Sequence, residues 1–252
     1  MPESRIYTRD HLQVSANISL DVVAIGHLQK VLRLRTGAMI ALFNGDGFEY
    51  QGQLVKVQRN QIQVQIIAKS IVPEPDPILK LHLVLGISRG ERMDFALQKA
   101  VELGVTRITP LLAQRGVVQL KGERIERRHR HWWQVVVAAC EQSGRCVLPQ
   151  LDEPQMLEQA IGSFIDNSVD HNLTGTLRLV LYHLGTTKLH QISSPVHSVI
   201  LLVGPEGGLS PEELDFAQQQ GFLALSLGPR ILRTETAPLA ALAALQTLWG
   251  DF

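Results

Sequence analysis

The segment Val72–Pro77 constrains the fold of this chain more than any other feature of its sequence. It reads VPEPDP, and its three prolines fall within five residues. Proline fixes φ and lacks a backbone donor, so neither a helix nor a sheet strand continues through such a run. The hydrophobic pattern also changes here. We therefore predict a linker over 73–78, between one domain over 1–72 and another over 79–252.

The part before the linker has the pattern of a small β-structure. Residues 39–43 form an apolar run followed by Asn44-Gly45-Asp46-Gly47, a strong turn signal. Residues 48–57 and 61–67 then alternate apolar and polar positions, which is typical of half-buried strands. A basic helical stretch is predicted over 27–34. Residues 1–72 contain eight Lys/Arg and five Asp/Glu in a chain whose net charge is zero, a weak bias toward an RNA-contacting module.

The part after the linker alternates strand and helix patterns. Apolar runs at 81–87, 199–203 and 223–227 predict strands, the second and third followed by predicted helices at 211–220 and 238–249. This alternation indicates an α/β domain with a mostly parallel sheet, whose ligands bind at the carboxyl ends of the strands. Ser88 and Glu91 have the spacing of a capping box, which predicts Ser88 as the cap of the first helix.

Two glycine-containing loops follow the last two of these strands. Residues 204–213 read GPEGGLSPEE, in which Ser210 is predicted as an N-cap and Glu213 as its partner. The acidic neighbours disfavour a phosphate and favour a neutral or cationic ligand. The second loop, residues 228–238, is predicted to end with Thr234 or Thr236 capping an alanine-rich helix that is either buried or a dimer face. Each loop alone is also compatible with an ordinary connection.

Several classes of protein are excluded by what the sequence lacks. There is no G-x-G-x-x-G and no G-x-x-x-x-G-K-[ST], so dinucleotide-binding and P-loop folds are not supported. The two cysteines, Cys140 and Cys146, form no CxxC pair, and no metal site is predicted. No apolar run approaches the ~20 residues of a membrane span, so we expect a soluble, cytoplasmic protein with no membrane partner.

Four motifs in one order carry a family resemblance: SRGERMDFALQKAVELG (88–104), AACEQSGR (138–145), GPEGGLSPEE (204–213) and LGPRILRTETAPLAAL (227–242). With them the chain resembles the bacterial 16S ribosomal RNA (uracil-N3)-methyltransferase family of the SPOUT class. The resemblance covers the whole chain except 150–176, where no motif matches. It implies a PUA-like N-terminal β-barrel and a C-terminal SPOUT α/β domain with a deep trefoil knot, formed by threading about 228–249.

The resemblance also implies the activity. The expected reaction is methyl transfer from S-adenosylmethionine to N3 of one uridine near the 3′ end of 16S rRNA, in the 30S subunit, by a homodimer. The residues implied to bind the cofactor are Leu181, His183, Gly204, Pro205, Glu206, Gly207, Gly208, Leu227, Gly228, Ile231 and Leu232. Two alternatives stay open: a non-catalytic RNA-binding or ribosome-assembly factor, and a SPOUT methylase of another RNA.

Uracil N3 carries a proton that must be removed, and the resulting negative charge spreads to O2 and O4. A carboxylate could accept the proton, and an arginine could stabilise the anion. The catalytic candidates are two pairs: Glu141 with Arg145, and Arg233 with Glu235. The predicted RNA contacts are Arg5, Arg9, Lys30, Arg33, Arg35, Arg89, Arg92 and Arg115. The basic run at 121–131 is interpreted as a solvated helix face, and Trp132 and Trp133 as core.

Overall fold

A computed structural model describes residues 4–20, 34–58, 60–117, 122–166, 175–193 and 195–252. The chain divides into two compact units. The first unit comprises Met1–Asp76 and Val137–Leu148, and the second comprises Pro77–Val136 and Pro149–Phe252. The domain boundary at 73–78 stays a prediction. The segment Val137–Leu148, which the sequence pattern placed after that boundary, belongs to the first unit.

The first unit is built on a five-stranded sheet. Its strands are β1 (Arg5–Tyr7), β2 (Asn17–Ser19), β3 (Met39–Phe43), β4 (Tyr50–Gln58) and β5 (Gln61–Lys69), in the spatial order β1-β3-β4-β5-β2. β1 and β3 are parallel, and the other pairs are antiparallel. The predicted alternation is visible in β5, where Ile62, Val64 and Ile66 are buried in one core cluster. The predicted helix over 27–34 lies, except for Leu34, outside the described residues.

The second unit is built on a six-stranded sheet in which every described pairing is parallel. Its strands are β6 (Lys80–Gly86), β7 (Arg107–Leu111), β8 (Gln150–Leu151), β9 (Thr176–Leu181), β10 (Ser198–Val203) and β11 (Leu223–Leu225). Their spatial order is β11-β9-β10-β6-β7-β8. The central strand β10 reads SVILLV and is buried from Val199 onward, as expected for a strand covered on both faces. The predicted parallel α/β domain is therefore confirmed.

Five α-helices belong to the described chain: α1 (Glu91–Glu102), α2 (Glu123–Ser143), α3 (Leu157–Asp166), α4 (Pro211–Gln219) and α5 (Thr236–Trp249). The last of them leaves the edge strand β11 and returns to the middle of the sheet, where it packs on α1, β6 and β10. Gln246 of α5 donates a hydrogen bond to the carbonyl of Leu103 at 2.9 Å. This return places the loop before α5 close to the centre of the sheet.

Three local predictions were wrong or incomplete. Helix α1 begins after Gly90, which has φ +56°, and Ser88 makes no cap; its hydroxyl contacts that of Thr234 at 3.2 Å. Neither Thr234 nor Thr236 caps α5, because Glu235 occupies the N-cap position without a side-chain bond. The sequence pattern also missed β2, β8 and α3, which are short or lie in the region without motifs. In contrast, Trp132 lies in the core as predicted, with 2% exposure, whereas Trp133 is only half-buried.

Candidate active site

A cavity of about 820 Å³ opens at the carboxyl ends of three neighbouring strands of the second sheet. Leu181 ends β9, Val203 ends β10 and Leu225 ends β11, and all three line the cavity. Parallel sheets bind ligands at this edge because successive loops converge there. The volume lies within the range of roughly 300–1,000 Å³ usual for small-molecule sites. The cavity therefore has the position and the size of a ligand site.

The first wall of the cavity is the loop from Gly204 to Ser210. Gly208 has φ +70°, and its N–H donates to the carbonyl of Pro205 at 2.8 Å, which closes a tight turn. Gly207 lies so close to the loop after β7 that a Cβ there would approach the carbonyl oxygen of Arg115 to 2.8 Å. This loop therefore needs glycine for both its conformation and its packing.

The predicted capping box at the start of α4 is confirmed and extends further than expected. The hydroxyl of Ser210 accepts the N–H of Glu213 at 3.1 Å, and the Glu213 carboxylate accepts the N–H of Ser210 at 2.8 Å. Its second oxygen accepts the N–H of Gln114, also at 2.8 Å. The buried carboxylate of Glu213 thus ties the glycine loop to the loop that carries Arg115.

Glu206 anchors the same loop to the start of α1. Its Oε1 accepts the N–H of Arg89 at 3.1 Å and lies 3.3 Å from Nη1 of Arg92. Burial by itself raises the pKa of Glu206, but the hydrogen bonds from Arg89 and Arg92 outweigh it, so the pKa lies below its usual value. The carboxylate is ionised near neutral pH and its charge is largely balanced by Arg92.

The second wall of the cavity is the loop from Leu227 to Ala237. Gly228 has φ +123°, and Ile231 is 83% exposed although it lines the cavity. Thr234 joins the two walls, because its hydroxyl donates to the carbonyl of Gly204 at 3.4 Å. The carbonyl of Arg233 accepts the N–H groups of Thr236 and Ala237 at 2.9 Å, which fixes the turn into α5.

Every residue implied to bind the cofactor lines this one cavity. They come from three separate loops, so their convergence is a property of the fold and not of their spacing in the chain. Residues that the sequence reasoning did not single out also line it, among them Tyr182, Leu214, Asp215 and Arg230. Two of these could have been found from the sequence. Tyr182 lies between the predicted residues Leu181 and His183, and Arg230 lies inside the motif at 227–242.

The second candidate pair, Arg233 and Glu235, lines the cavity as well. Oε2 of Glu235 is buried, and no hydrogen-bond partner for it occurs among the described residues. Arg233 is exposed and makes no ion pair within the described part of the chain. Both side chains are therefore available to a molecule in the cavity.

The first candidate pair, Glu141 and Arg145, does not line the cavity and belongs to the first unit. Oε1 of Glu141 accepts the N–H of Tyr7 at 3.0 Å, and Nε of Arg145 lies 3.8 Å from Glu74. Both groups are bound by neighbours within that unit.

Arg5 lies at the centre of the same cluster. Its guanidinium donates to the carbonyls of Cys140 at 2.9 Å and of Glu141 and Arg145 at 3.4 Å, and it pairs with Glu49 at 2.7 Å. The side chain is only 13% exposed. Arg5 therefore caps the end of α2, where a cation is favoured by the unpaired carbonyls.

The other arginines predicted to contact RNA are placed in several ways. Arg9, Arg35, Arg89 and Arg115 are exposed, and Arg115 also lines the cavity. Arg92 is paired with Glu206 as described above. Lys30 and Arg33 lie outside the described residues. The basic run at 121–131 contains exposed arginines and two histidines that face carboxylates, His129 near Glu153 and His131 near Asp94.

A second polar cluster lies at the other half of the sheet, where strands β6, β7 and β8 run side by side. Thr109 donates to Asp152, which also accepts from Arg107 at 2.8 Å, while Nε2 of His82 lies 2.8 Å from the Thr109 hydroxyl. Because the Thr109 proton is used on Asp152, His82 is the donor to Thr109. Burial, and then the charge of Arg107, lowers the pKa of His82 to about 3.

Neither a metal site nor a membrane-spanning helix is found among the described residues. Their His, Cys, Asp and Glu side chains form no group of three or more that could hold a metal ion. Their helices include none that is long and apolar enough to span a membrane.

Comparison with known proteins identifies the family. A model of the RNA methyltransferase domain matches residues 74–246, and a model of the RNA methyltransferase PUA domain matches 24–67. The ribosomal RNA small subunit methyltransferase E of Buchnera aphidicola subsp. Schizaphis graminum is 33% identical over 98% of this chain and 97% of its own length. This chain belongs to the small-subunit ribosomal RNA methyltransferase E family. The predicted family, its PUA domain and its methyltransferase domain are thereby confirmed.

Solved structures of this methyltransferase family agree with the fold. The enzyme from Neisseria gonorrhoeae, bound to S-adenosyl methionine, is 37% identical, with 99% of each chain covered and a TM-score of 0.86. A Legionella pneumophila chain described as a methyltransferase in complex with the bound cofactor SAM is 36% identical, with full coverage of both chains and a TM-score of 0.91. The similarity to these methyltransferases therefore covers both units of the chain.

Proposed function

We propose that this chain transfers a methyl group from S-adenosylmethionine to N3 of one uridine near the 3′ end of 16S rRNA, with the 30S subunit as its partner. The observation that carries the proposal is the convergence of all the implied cofactor residues on one cavity in a chain of this family. The two solved relatives described above were obtained with S-adenosylmethionine, which supports the same ligand here.

The residues of the cavity suit this ligand. Leu181, Leu227 and Leu232 offer apolar walls to an adenosine, and the loop from Gly204 to Gly208 offers backbone groups at close range. The carboxylates of Glu206 and Asp215 line the same cavity and accommodate a positive sulfonium.

The bound cofactor supplies an electrophilic methyl group on a positively charged sulfur. The chain contributes orientation, because two loops tied by Thr234 and Gly204 form the walls of the cavity. It also contributes charge: Arg115, Arg230 and Arg233 line the cavity, and none forms an ion pair within the described residues. An arginine there stabilises the negative charge that develops on O2 and O4 of the uracil.

We propose that the RNA backbone is bound by the exposed arginines Arg9, Arg35, Arg89 and Arg115, together with Lys30 and Arg33. Contacts of Lys and Arg with phosphates position an RNA without specifying its sequence. Arg5 and Arg92 are proposed to act indirectly, since one caps α2 and the other holds Glu206. Affinity that falls steeply with salt would support this assignment.

Three further properties are proposed by family resemblance: the homodimer, the cytoplasmic location and the trefoil knot. The return of α5 from the edge strand β11 to β6 and β10 supports the knot, because it brings the final segment back over the centre of the sheet. Sedimentation of the pure protein tests the dimer. A single monomeric species at micromolar concentration would contradict it.

The decisive experiment is methylation of 30S subunits from cells that lack the activity, followed by mass-spectrometric mapping of the modified base. We expect one 3-methyluridine near the 3′ end of 16S rRNA. Methylation elsewhere would indicate another RNA target, and calorimetry that detects no S-adenosylmethionine binding would support the non-catalytic assembly factor.

A glycine substitution tests the location of the cofactor site. Gly207→Ala should weaken S-adenosylmethionine binding, because the added Cβ pushes against the carbonyl of Arg115 at 2.8 Å and separates two loops of the cavity. Gly162→Ala in α3 is the matched control, since its Cβ would meet nothing within 4 Å. Equal affinity of both variants, measured by calorimetry, would contradict the placement.

A further inference from the structure

We propose that Glu235 is the general base that removes the N3 proton of the target uridine. This inference rests on the proposed function and assigns a role that the sequence alone left open between two carboxylates. Uracil N3 attacks as the anion, so a proton acceptor must reach the same cavity as the methyl donor. The assignment follows from which carboxylates reach that cavity and from what each of them already binds.

Glu235 lines the cavity and has an unused acceptor. Its Oε2 is buried, and the described residues offer it no hydrogen-bond partner. It occupies the N-cap of α5, and its side chain accepts no backbone N–H of that helix. A buried acceptor without a partner is unfavourable for stability, so this arrangement is expected where a ligand supplies the donor.

The backbone around Glu235 is held firmly. The carbonyl of Arg233 accepts two N–H groups from the first turn of α5, and the Thr234 hydroxyl contacts both Gly204 and Ser88. Thr234 is therefore fixed to the Gly204 wall of the cavity, and Thr236 is fixed to the turn of its own loop. A proton acceptor on such a rigid segment keeps its position relative to the substrate.

The competing carboxylates are committed elsewhere or exposed. Glu206 accepts from Arg89 and Arg92, and both oxygens of Glu213 accept backbone N–H groups. Asp215 lines the cavity from an exposed position on α4, where water solvates it. Glu141 accepts the N–H of Tyr7 and does not line the cavity. Glu235 is the cavity carboxylate that combines burial with an unused oxygen.

The proposed step balances without any further reactant. The N3–H bond breaks and its proton passes to Oε2 of Glu235, while the electron pair left on N3 forms the new bond to the methyl carbon. The bond from that carbon to the sulfonium breaks, and its electron pair stays on sulfur as a neutral thioether. The proton then leaves Glu235 for solvent.

The first test is the rate of methylation with Glu235→Gln, which keeps the shape of the side chain and removes its basicity. We expect kcat to fall by about 10²–10⁴-fold, the usual contribution of a general base, with S-adenosylmethionine affinity unchanged by calorimetry. Glu212→Gln is the control: it makes the same change at a fully exposed carboxyl in the first turn of α4 and should keep the wild-type rate.

Glu235→Ala gives a second, chemical test. Added acetate should restore part of its activity, because a small carboxylate can enter the space left by the side chain, and acetate should not help Glu235→Gln. A wild-type rate in Glu235→Gln would overturn the proposal. So would loss of S-adenosylmethionine binding, which would make Glu235 a cofactor-binding residue instead.

The third test measures equilibrium binding and no turnover. With S-adenosylhomocysteine present, the wild type should bind 30S subunits with an unmodified target uridine more tightly than subunits with 3-methyluridine, which has no N3–H to donate. Glu235→Ala should lose this preference, and an unchanged preference would count against the role. If the wild type itself fails to methylate 30S subunits, the proposed function fails instead, so the two failures are distinguishable.

Discussion

The Glu141–Arg145 pair and the Arg233–Glu235 pair have opposite surroundings. Around Glu141, the N–H of Tyr7 and the carboxylate of Glu74 satisfy the charged groups, and Arg5 closes the end of the helix. Around Glu235, a buried oxygen faces a cavity and no partner for it occurs in the described chain. We call the first cluster closed, because its polar groups are paired within the protein and contribute to the stability of the fold. The second is open, because a buried oxygen has no partner among the described residues. Such an unpaired group lowers stability and can bind a ligand.

The same contrast divides the second sheet. The His82–Thr109–Asp152 cluster beside strands β6, β7 and β8 is closed, with Arg107 completing it, while the cavity at the carboxyl ends of β9, β10 and β11 is open. Substitutions in a closed cluster should therefore change the free energy of unfolding, whereas substitutions in an open one should change the rate of methylation. Three substitutions test this division, in decreasing order of their expected effect on stability.

The largest effect is expected from His82 and depends on pH. Burial keeps its pKa near 3 in the folded chain, against 6.5 when unfolded, so below pH 6.5 the unfolded chain binds the extra proton. Stability is therefore lost as pH falls, by about 1.4 kcal/mol per pH unit between these two values. His82→Gln keeps a donor for Thr109 but cannot titrate. When the pH is lowered from 7 to 4.5, the free energy of unfolding of this variant, measured with urea, should rise by about 2–3 kcal/mol relative to that of the wild type.

The matched control for this pH effect is His190→Gln, which changes an exposed histidine of the same unit. Its stability difference from wild type should stay constant over the same range. A His82→Gln difference that is equally constant would mean that His82 titrates normally, and that this cluster is not closed.

The intermediate effect is expected from Arg5→Ala. The substitution removes donors to the carbonyls of Cys140, Glu141 and Arg145 and an ion pair with Glu49, at a site only 13% exposed. We expect a loss of about 2 kcal/mol, the usual scale for hydrogen bonds to a charged group. Hydrogen exchange of the backbone amides that pair β1 with β3 measures this loss of stability in the first unit.

Arg9→Ala is the control for Arg5, because Arg9 lies just beyond β1 and is exposed. We expect it to change stability by less than about 0.5 kcal/mol. If the backbone amides exchanged hydrogen equally fast in both alanine variants, the contacts of Arg5 would contribute nothing measurable to stability.

The smallest effect on stability is expected from Arg233→Ala, at the open pair. Arg233 is exposed and forms no ion pair in the described ranges, so its loss should change the free energy of unfolding by less than about 0.5 kcal/mol. Methylation should nevertheless slow by about tenfold or more, because a cation beside the uracil is lost. Arg124→Ala, on the exposed face of α2, should alter neither quantity. A stability loss as large as that of Arg5→Ala would remove the distinction between the two clusters.

Much of the fold could be predicted from local patterns. The apolar run of β10 and the alternation in β5 depend only on side-chain periodicity, and the capping box at Ser210 depends on residues three apart. The loops that line the cavity could be predicted for the same reason, since each directly follows a recognisable strand. The cap at Ser88 failed because a tertiary contact with Thr234 uses its hydroxyl instead.

The choice between the two catalytic pairs could not be predicted from the sequence. Both present a carboxylate near an arginine, and nothing local shows that Tyr7, far away in the chain, satisfies Glu141. The role of Arg5 was equally invisible, because its partners Cys140 and Arg145 lie more than a hundred residues away. Which polar groups are satisfied is decided by long-range packing, and periodicity carries no information about it.

The strand order β11-β9-β10-β6 has a kinetic consequence. The central strand β6 begins at Lys80, and its neighbour β10 begins only at Ser198, so the middle of the sheet joins segments that are remote in the chain. Closing such long loops is entropically unfavourable and slows folding. The cavity needs β9, β10, β11 and the turn into α5 together, so we expect it to be complete only after these segments have joined. A ligand that binds the complete cavity then stabilises the folded chain, because the unfolded chain does not offer the same site.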